Sequence, residues 1–269
     1  MTLDQRIILA NGGSGATLSQ PEIRISECLL EARAAGIALN RFPGVPPSSL
    51  IEAYAIQNRS IQHWPDQIVG WKVGGIPEAL RQELGADWLV GPIFSQNVSH
   101  STPGVSSPMP IFDGGFGAIE PELVVKLGAT RDQDRVFIGA EIASSPVPDI
   151  NGYGPTAVVC DFGNNNGLLI GPEVMDWANY DQPITVSISV DGELIGTRTL
   201  DRLSDQALAA RDFCIDHAAR AGRALSTGTF ISTGAITGIH EANVGARSSI
   251  SFAELGEIDL ELTRQGPLS

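Results

Sequence analysis

Three glutamates are the residues in this sequence whose types and spacing could do chemistry together. Glu120 and Glu122 flank Pro121, and Glu141 follows inside the apolar run 136–142. In an extended strand, residues two apart point to the same face, so the side chains of Glu120 and Glu122 should project side by side. The alternating apolar residues around all three acids predict two half-buried strands. Carboxylates buried so close together would repel each other.

A divalent cation would balance this repulsion. Three carboxylates with no histidine or cysteine nearby offer hard oxygen ligands, and these suit Mg²⁺, Mn²⁺ or Ca²⁺ better than Zn²⁺. The alternative is that the three acids lie on solvated strand faces and hold no metal. The spacing alone leaves both interpretations open.

Lys72 is the second candidate for chemistry. Of the 17 lysines and arginines only two, Lys72 and Lys126, are lysines, and Lys72 lies in the glycine-rich apolar segment 69–75. The apolar neighbours imply burial, and a buried ammonium group needs a partner. We expect that partner to be the glutamate cluster together with an anionic substrate. Alternatively, Lys72 lies at an edge and extends its charge into water.

A polar loop, Asn164-Asn165-Asn166, follows Asp161 between two apolar segments. Its amides could face a ligand, although an ordinary turn would have the same composition. The triplet 161–163 also matches a protein-kinase motif. The sequence lacks the other kinase motifs, so we interpret this match as coincidence.

Composition excludes several classes of function. The chain has 269 residues, 42% of them hydrophobic, which is enough for one large domain with a substantial core. The net charge of −14 disfavours nucleic acid and anionic membranes as partners. We see no signal peptide and no apolar run long enough to span a membrane. Three widely spaced cysteines predict reduced thiols, and hence a cytoplasmic protein.

The chain divides into three parts by its patterns. Residues 1–20 predict a flexible tail, residues 21–88 a helical N-terminal region, and residues 89–269 a strand-rich domain. Helices are expected at 25–35, 50–62 and 77–84, and one more beginning with Ser204 as its cap and ending at Gly222. Asp191-Gly192 predicts a type I′ hairpin turn. The expected strands are 68–75, 117–127, 135–144, 157–162, 168–171, 184–190, 193–200, 229–232, 248–252 and 256–262.

Seven short motifs along the chain resemble, in this order, the fumarylacetoacetate hydrolase superfamily. Within it they resemble the 2-keto-4-pentenoate hydratase and 2-oxo-3-hexenedioate decarboxylase group. The resemblance implies an α+β fold, with a strand-rich mixed β-sheet catalytic domain and a small helical N-terminal region. The motifs are Glu-Ala-Tyr-Ala-Ile-Gln at 52–57, Val-Gly-Trp-Lys-Val-Gly at 69–74, Leu-Gly-Ala-Asp at 84–87, Gly-Pro-Ile-Phe at 91–94, Ile-Glu-Pro-Glu at 119–122, Ala-Glu-Ile at 140–142 and Ser-Thr-Gly-Ala at 232–235.

The resemblance also implies a site and a ligand. The metal, Mg²⁺ or Mn²⁺, would be held by the three glutamates, and the substrate would be a small anionic 2-oxo or 2-hydroxydienoic acid that chelates it. A homo-oligomer is implied as well. The residues assigned on this basis are Glu120, Glu122 and Glu141 to the metal, Lys72 and Asp161 to catalysis, and Lys72, Asn165, Thr233 and Gly234 to substrate binding.

The chain departs from the family pattern at several places. Residues 203–206, Leu-Ser-Asp-Gln, stand where such hydratases have His-Pro-Leu, and Gly228-Thr229 stands where they have Gly-Asp. The arginine often found after the third glutamate is missing, and the loop 161–167 is a residue longer. These differences spare the metal ligands and concern the substrate.

Our hypothesis is hydration of a 2-hydroxy-2,4-dienoate to a 4-hydroxy-2-oxo acid. The alternatives are decarboxylation of a 2-oxo-3-hexenedioate, hydrolysis of a C–C bond in an acylpyruvate, and a non-catalytic subunit that partners such an enzyme.

Overall fold

Two β-sheets and five α-helices make up the part of the protein that the computed structural model describes, residues 18–268. Helices α1 to α5 are Gln20–Ala35, Leu50–His63, Glu78–Leu84, Pro155–Cys160 and Leu203–Arg220. Strands β1 to β13 are Ile68–Gly75, Trp88–Phe94, Val98–His100, Ser107–Ile111, Phe116–Lys126, Arg135–Ser145, Asn165–Glu173, Ile184–Val190, Glu193–Leu200, Phe230–Ser232, His240–Glu241, Arg247–Ser251 and Glu257–Arg264.

The first two helices begin and end where their local sequence requires. The backbone N–H of Ser19 donates to the carboxylate of Glu22 at 2.6 Å, which fixes the start of α1. Gly36 ends this helix with a φ of 66°, a conformation that glycine adopts without steric cost. The buried hydroxyls of Ser26 in α1 and Ser60 in α2 share a hydrogen bond of 2.8 Å. Together with the apolar faces, this bond joins the two helices as a layer.

The larger sheet carries the candidate site. Its strands run in the order β2-β1-β10-β5-β6-β7-β3, and β11 pairs with β5 outside this path. Strands β5 and β6 pair antiparallel from Phe116 opposite Ser145 to Lys126 opposite Arg135, with no shift in register. The centre of this pair is buried, because helices and the second sheet cover it. The alternation of the sequence anticipated both strands.

The second sheet has five strands in the order β4-β13-β12-β8-β9. Strands β8 and β9 form the predicted hairpin. Asp191 and Gly192 have φ values of 51° and 84°, as a type I′ turn requires at both central positions. The expected α+β architecture, strand-rich with mixed sheets, is confirmed.

Two local predictions are wrong. The expected strand 157–162 is helix α4, which Gly154 and Pro155 start. All six residues of α4 are buried, so the helix has no polar face and its sequence shows no helical periodicity. Its two valines favoured the prediction of a strand. Ser204 is not a helix cap, because α5 already begins at Leu203 and Ser204 lies inside its first turn.

The boundary drawn between residues 88 and 89 falls inside one sheet. The boundary cuts strand β2 after Trp88, and strand β1, on its N-terminal side, pairs with both β2 and β10. The sequence suggested a boundary because helices dominate before it, and the division into domains stays a prediction. The predicted tail, 1–20, lies outside the described residues except for its last three, and of these Gln20 already belongs to α1.

Across residues 18–268, no helix combines the length and the apolar character that a membrane crossing demands.

Candidate metal centre

The paired strands β5 and β6 bring the three glutamates together. Glu120 lies directly opposite Glu141 in the register, and Glu122 follows two residues along β5. One ligand oxygen from each carboxylate lies within 4.8 Å of the others. Glu122 and Glu141 are fully buried, and Glu120 is 5% exposed. None of the three therefore lies on a solvated strand face.

Hydrogen bonds satisfy part of this cluster and leave part of it open. The hydroxyl of Ser232 donates to Oε2 of Glu122, and Nδ2 of Asn165 donates to Oε1 of Glu141 at 2.9 Å. The other oxygen of Glu122, Oε1, is buried without a hydrogen-bond partner among the described residues. Oε2 of Glu141 lies 3.2 Å from Nζ of Lys72, an ion-pair distance without hydrogen-bond geometry.

Burial makes negative charge costly in this cluster. It raises the pKa of Glu120 to about 7, although Lys72 opposes the shift, and Glu141 adds to it. Burial also raises the pKa of Glu122 well above its ordinary value, and the charges of Glu141 and Glu120 raise it further. The cluster therefore carries more negative charge than its surroundings stabilise.

These residues fit a divalent cation. The donors are hard carboxylate oxygens, and two of them, Oε1 of Glu122 and Oε2 of Glu141, are buried with no hydrogen bond, which is the state of a ligand atom directed at an ion. No histidine or cysteine belongs to this cluster in the described chain, so its chemistry favours Mg²⁺ or Mn²⁺ over Zn²⁺.

Lys72 lies in β1, between β2 and β10, and is 4% exposed. Its Nζ donates to Oδ1 of Asn164 at 3.2 Å and pairs with Glu141. Burial by itself lowers the pKa of Lys72, but the charges of Glu141, Glu120 and Glu122 outweigh burial and raise it. Lys72 is thus a charged hydrogen-bond donor and does not extend into solvent.

A cavity of about 660 Å³ opens beside this cluster, large enough for a small organic acid and water. Of the residues predicted for the site, Lys72, Glu120, Thr233 and Gly234 line it. Further polar and aromatic side chains complete its wall. They are Arg81, Trp88, Asn151, Asn164, Arg198 and Gln206.

Four predicted site residues do not line the cavity: the candidate metal ligands Glu122 and Glu141, which are fully buried, and Asp161 and Asn165. Asp161 is buried in an ion pair with Arg33, 2.5 Å from Nε to Oδ1. Asn165 lies behind Glu141 and donates to it, whereas its neighbour Asn164 reaches the cavity. The sequence located the polar loop but not the direction of each side chain, because residues 162–164 have positive φ values, which no periodic pattern reveals.

Sequence reasoning missed the arginines. Arg33 sits in an ordinary helical pattern and Arg81 in a short helix, so neither had a local signal. Arg198 follows the hairpin turn on β9, where an exposed strand residue is expected. Only the packing of these elements brings them toward the site.

The sequence matches no protein family profile and no curated protein. Solved structures do resemble it. Two are of 4-oxalocrotonate decarboxylase from Pseudomonas putida G7, one complexed with magnesium and adipate and one with calcium and acetate, with TM-scores of 0.70 and 0.67. Each is 19% identical, and the match covers 92% of this chain and 100% of the other.

A third similar structure is fumarylpyruvate hydrolase from Pseudomonas aeruginosa in complex with Mn²⁺ and pyruvate. It is 17% identical with a TM-score of 0.53, and the match covers 82% of this chain and 97% of that one. At these identities the similarity concerns the fold. The fold that the resemblance implied, that of the fumarylacetoacetate hydrolase superfamily, is confirmed.

Proposed function

We propose that this protein is a divalent-metal-dependent enzyme acting on a small 2-oxo acid of the 2-hydroxydienoate type. One observation carries the proposal: Glu120, Glu122 and Glu141 form a buried carboxylate cluster, Lys72 pairs with Glu141, and both Lys72 and Glu120 line the same cavity. The proteins of the same fold complexed with magnesium and adipate, or with Mn²⁺ and pyruvate, support this combination of metal and acid.

The three glutamates would hold Mg²⁺ or Mn²⁺. When bound, the cation would supply Lewis-acid chemistry by polarising the 2-oxo group of the substrate. Lys72 keeps its proton at Nζ, because the neighbouring carboxylates raise its pKa, and a charged ammonium cannot form a Schiff base. It would orient the anionic substrate through hydrogen bonds and assist proton transfer.

For the reaction we propose hydration of a 2-hydroxy-2,4-dienoate. Ketonisation of the dienol gives an unsaturated ketone, which accepts water at C4 and becomes a 4-hydroxy-2-oxo acid. A cavity of about 660 Å³ leaves room for a water molecule beside such a substrate. Asn151 and Gln206 in its wall offer polar groups that could hold this water.

Decarboxylation of a 2-oxo-3-hexenedioate is the second candidate. Arg81 and Arg198 line the cavity, and guanidinium groups suit a distal carboxylate. The decarboxylase of the same fold, complexed with the dicarboxylate adipate, favours this candidate as well. A hydratase acting on a dicarboxylic dienoate would use the same arginines, so substrate and reaction need separate tests.

Hydrolysis of a C–C bond has less support. Such a reaction needs a base that activates water against a carbonyl, and histidine is the usual one. Among the described residues that line the cavity there is no histidine.

The proposal extends to assembly and compartment. We propose a homo-oligomer in the cytoplasm, where free thiols such as those of Cys28, Cys160 and Cys214 stay reduced. The oligomer is what the resemblance of the sequence motifs to the superfamily implies.

The deciding experiment offers three substrates to the Mg²⁺-loaded protein: 2-hydroxypenta-2,4-dienoate, 2-oxo-3-hexenedioate and an acylpyruvate. Mass spectrometry follows the products. We expect gain of water on the first substrate, and chelation of the metal should abolish it. If the first substrate stays unchanged and the second loses CO₂, the protein is a decarboxylase and not a hydratase. If the first stays unchanged and the third is cleaved, it is a hydrolase. Failure of all three would favour a non-catalytic partner subunit.

A further inference from the structure

Arg33 extends from helix α1 into the interior, where it is 5% exposed. Its Nε and Nη2 donate to the two carboxylate oxygens of Asp161 at 2.5 and 2.9 Å. Nη1 donates to the carbonyl of Asn165 and to Oδ1 of Asn166, both at 3.2 Å. Nη2 also donates to the carbonyl of Ser144 in β6 at 3.1 Å. One guanidinium therefore ties the turn after α4 to the strand that carries Glu141.

The turn held by Arg33 is strained. Phe162, Gly163 and Asn164 have φ values of 57°, 66° and 55°, so three consecutive residues lie in the left-handed region. Glycine adopts this region freely and asparagine tolerates it, so Phe162 is the residue that needs outside support. Gly91 of β2 lets the turn approach closely, because a Cβ there would lie 2.1 Å from the carbonyl oxygen of Phe162.

The strained turn ends at the candidate site. Oδ1 of Asn164 accepts from Nζ of Lys72 at 3.2 Å, and Nδ2 of Asn165 donates to Oε1 of Glu141 at 2.9 Å. Both contacts depend on the direction in which the turn presents its side chains. A relaxed turn would withdraw the two amides from the lysine and from the glutamate.

We infer that Arg33, through its ion pair with Asp161, is a positioning residue for the metal centre. It fixes the turn 161–166 in a conformation that orients Lys72 and Glu141 through Asn164 and Asn165. The inference rests on the proposed function, because the orientation matters for a metal and a substrate. It also gives Asp161 a role other than the direct catalytic one, since Asp161 does not line the cavity.

A neutral or point-charge group could not replace the guanidinium. The planar fork of arginine serves both carboxylate oxygens of Asp161 and the three further acceptors on Ser144, Asn165 and Asn166, whereas a lysine ammonium has three donors and no fixed plane. Removing a residue that orients a metal ligand usually lowers the metal affinity by roughly 10- to 100-fold.

The test compares the full-length wild type with Arg33→Lys by titration calorimetry with Mg²⁺ alone. We expect Arg33→Lys to bind Mg²⁺ about 10-fold more weakly. Hydrogen exchange should also speed up at the backbone amide of Asn164, which donates to the carbonyl of Asp161 at 2.8 Å in the intact turn. The matched control is Arg211→Lys, which weakens a different ion pair, with the buried carboxylate of Asp134. It should lose stability but keep the Mg²⁺ affinity.

A double variant separates positioning from a general loss of stability. If Arg33 acts through Asn165, then Arg33→Lys/Asn165→Ala should bind Mg²⁺ scarcely more weakly than Asn165→Ala alone. Fully additive losses would count against the inference. If Arg33→Lys does not fold, the Mg²⁺ affinity of Asp161→Asn is measured instead and compared with that of the wild type. Equal Mg²⁺ affinity in the wild type and the variant overturns the inference alone, whereas a wild type that binds no Mg²⁺ overturns the proposed function as well.

Discussion

Glu120 of β5 and Glu141 of β6 are direct register partners in an antiparallel pair that runs without a bulge. Side chains opposite each other in such a pair lie about 5 Å apart at Cβ, so two like charges there oppose strand pairing. The apolar core of the sheet holds the strands together despite this repulsion. The site therefore stores unfavourable electrostatic energy until a cation or protons neutralise it.

Glu122→Gln should stabilise the protein without metal and abolish its response to metal. The substitution keeps the size of the side chain and removes a carboxyl group whose charged form burial disfavours and whose Oε1 has no hydrogen bond. Thermal unfolding in a chelator should show a higher Tm than the wild type. Added Mg²⁺ should raise the Tm of the wild type and leave that of the variant unchanged. Glu261→Gln, at a half-buried acid outside the cluster, serves as control and should preserve the Mg²⁺ response. The same response in Glu122→Gln would rule out Glu122 as a ligand.

Lys72→Met should reduce turnover far more than it reduces metal binding. The variant removes the buried ammonium that faces Glu141 and Asn164, and general acid or orienting groups contribute roughly 10²- to 10⁴-fold to rate. Mg²⁺ affinity should stay equal or increase, because a positive charge next to the ion is lost. Steady-state kinetics and calorimetry measure the two effects. Trapping of a substrate on Lys72 by borohydride would contradict the role of a charged donor.

Arg198→Ala should show whether the cavity binds dicarboxylic or monocarboxylic substrates. If Arg198 binds a distal carboxylate, the variant should lose about 10-fold or more in kcat/KM on a dicarboxylic 2-oxo acid and little on a monocarboxylic dienoate. Arg81→Ala should act in the same direction. Arg247→Ala, on an exposed face of β12, is the control and should change neither rate. An equal loss of kcat/KM on both substrates would show that these arginines do not recognise a distal carboxylate.

His217 should make the stability depend on pH below neutrality. Burial, with the nearby charges of Arg220 and Arg223, lowers the pKa of His217 to about 4. In the unfolded chain the imidazole protonates near its ordinary pKa of about 6.5, so the unfolded state binds more protons between these values. The contribution of neutral His217 to the free energy of unfolding is therefore fully present above about pH 6.5 and is lost as the pH falls toward 4.

His217→Phe isolates that contribution. The phenyl ring can keep the contacts that the imidazole makes with Tyr54 and Phe213. Urea denaturation should show that the variant loses about 2 kcal/mol less stability than the wild type between about pH 7.5 and pH 5. Parallel losses in both proteins would show that His217 is not held neutral.

Light scattering should give a mass that is a multiple of 28.4 kDa, since we propose a homo-oligomer. A clean monomer at working concentrations would contradict the proposed assembly. Chain concentration should be varied in the same measurement, because assembly follows mass action.

Local sequence patterns predicted much of the fold. The alternation around Glu120 and Glu141 predicted β5 and β6 almost to the residue, and Asp191-Gly192 predicted the hairpin turn. Helix α4 was mistaken for a strand because every one of its residues is buried, so neither period was visible. Periodicity reports which side of an element is buried, and it reports nothing when all sides are.

The sequence by itself placed three glutamates and a lysine in strands and put Glu120 and Glu122 on one face, since the period of a strand fixes which side chains share a face. It left open whether these side chains are buried. Only the tertiary structure decided that Glu120 faces Glu141 and that Arg33 reaches Asp161 from a distant helix. Strand register and long side-chain contacts join residues far apart in the chain, and their energies depend on the packing of the whole core. A local pattern therefore predicts the ligands of this site, whereas the residues that orient them follow from the fold.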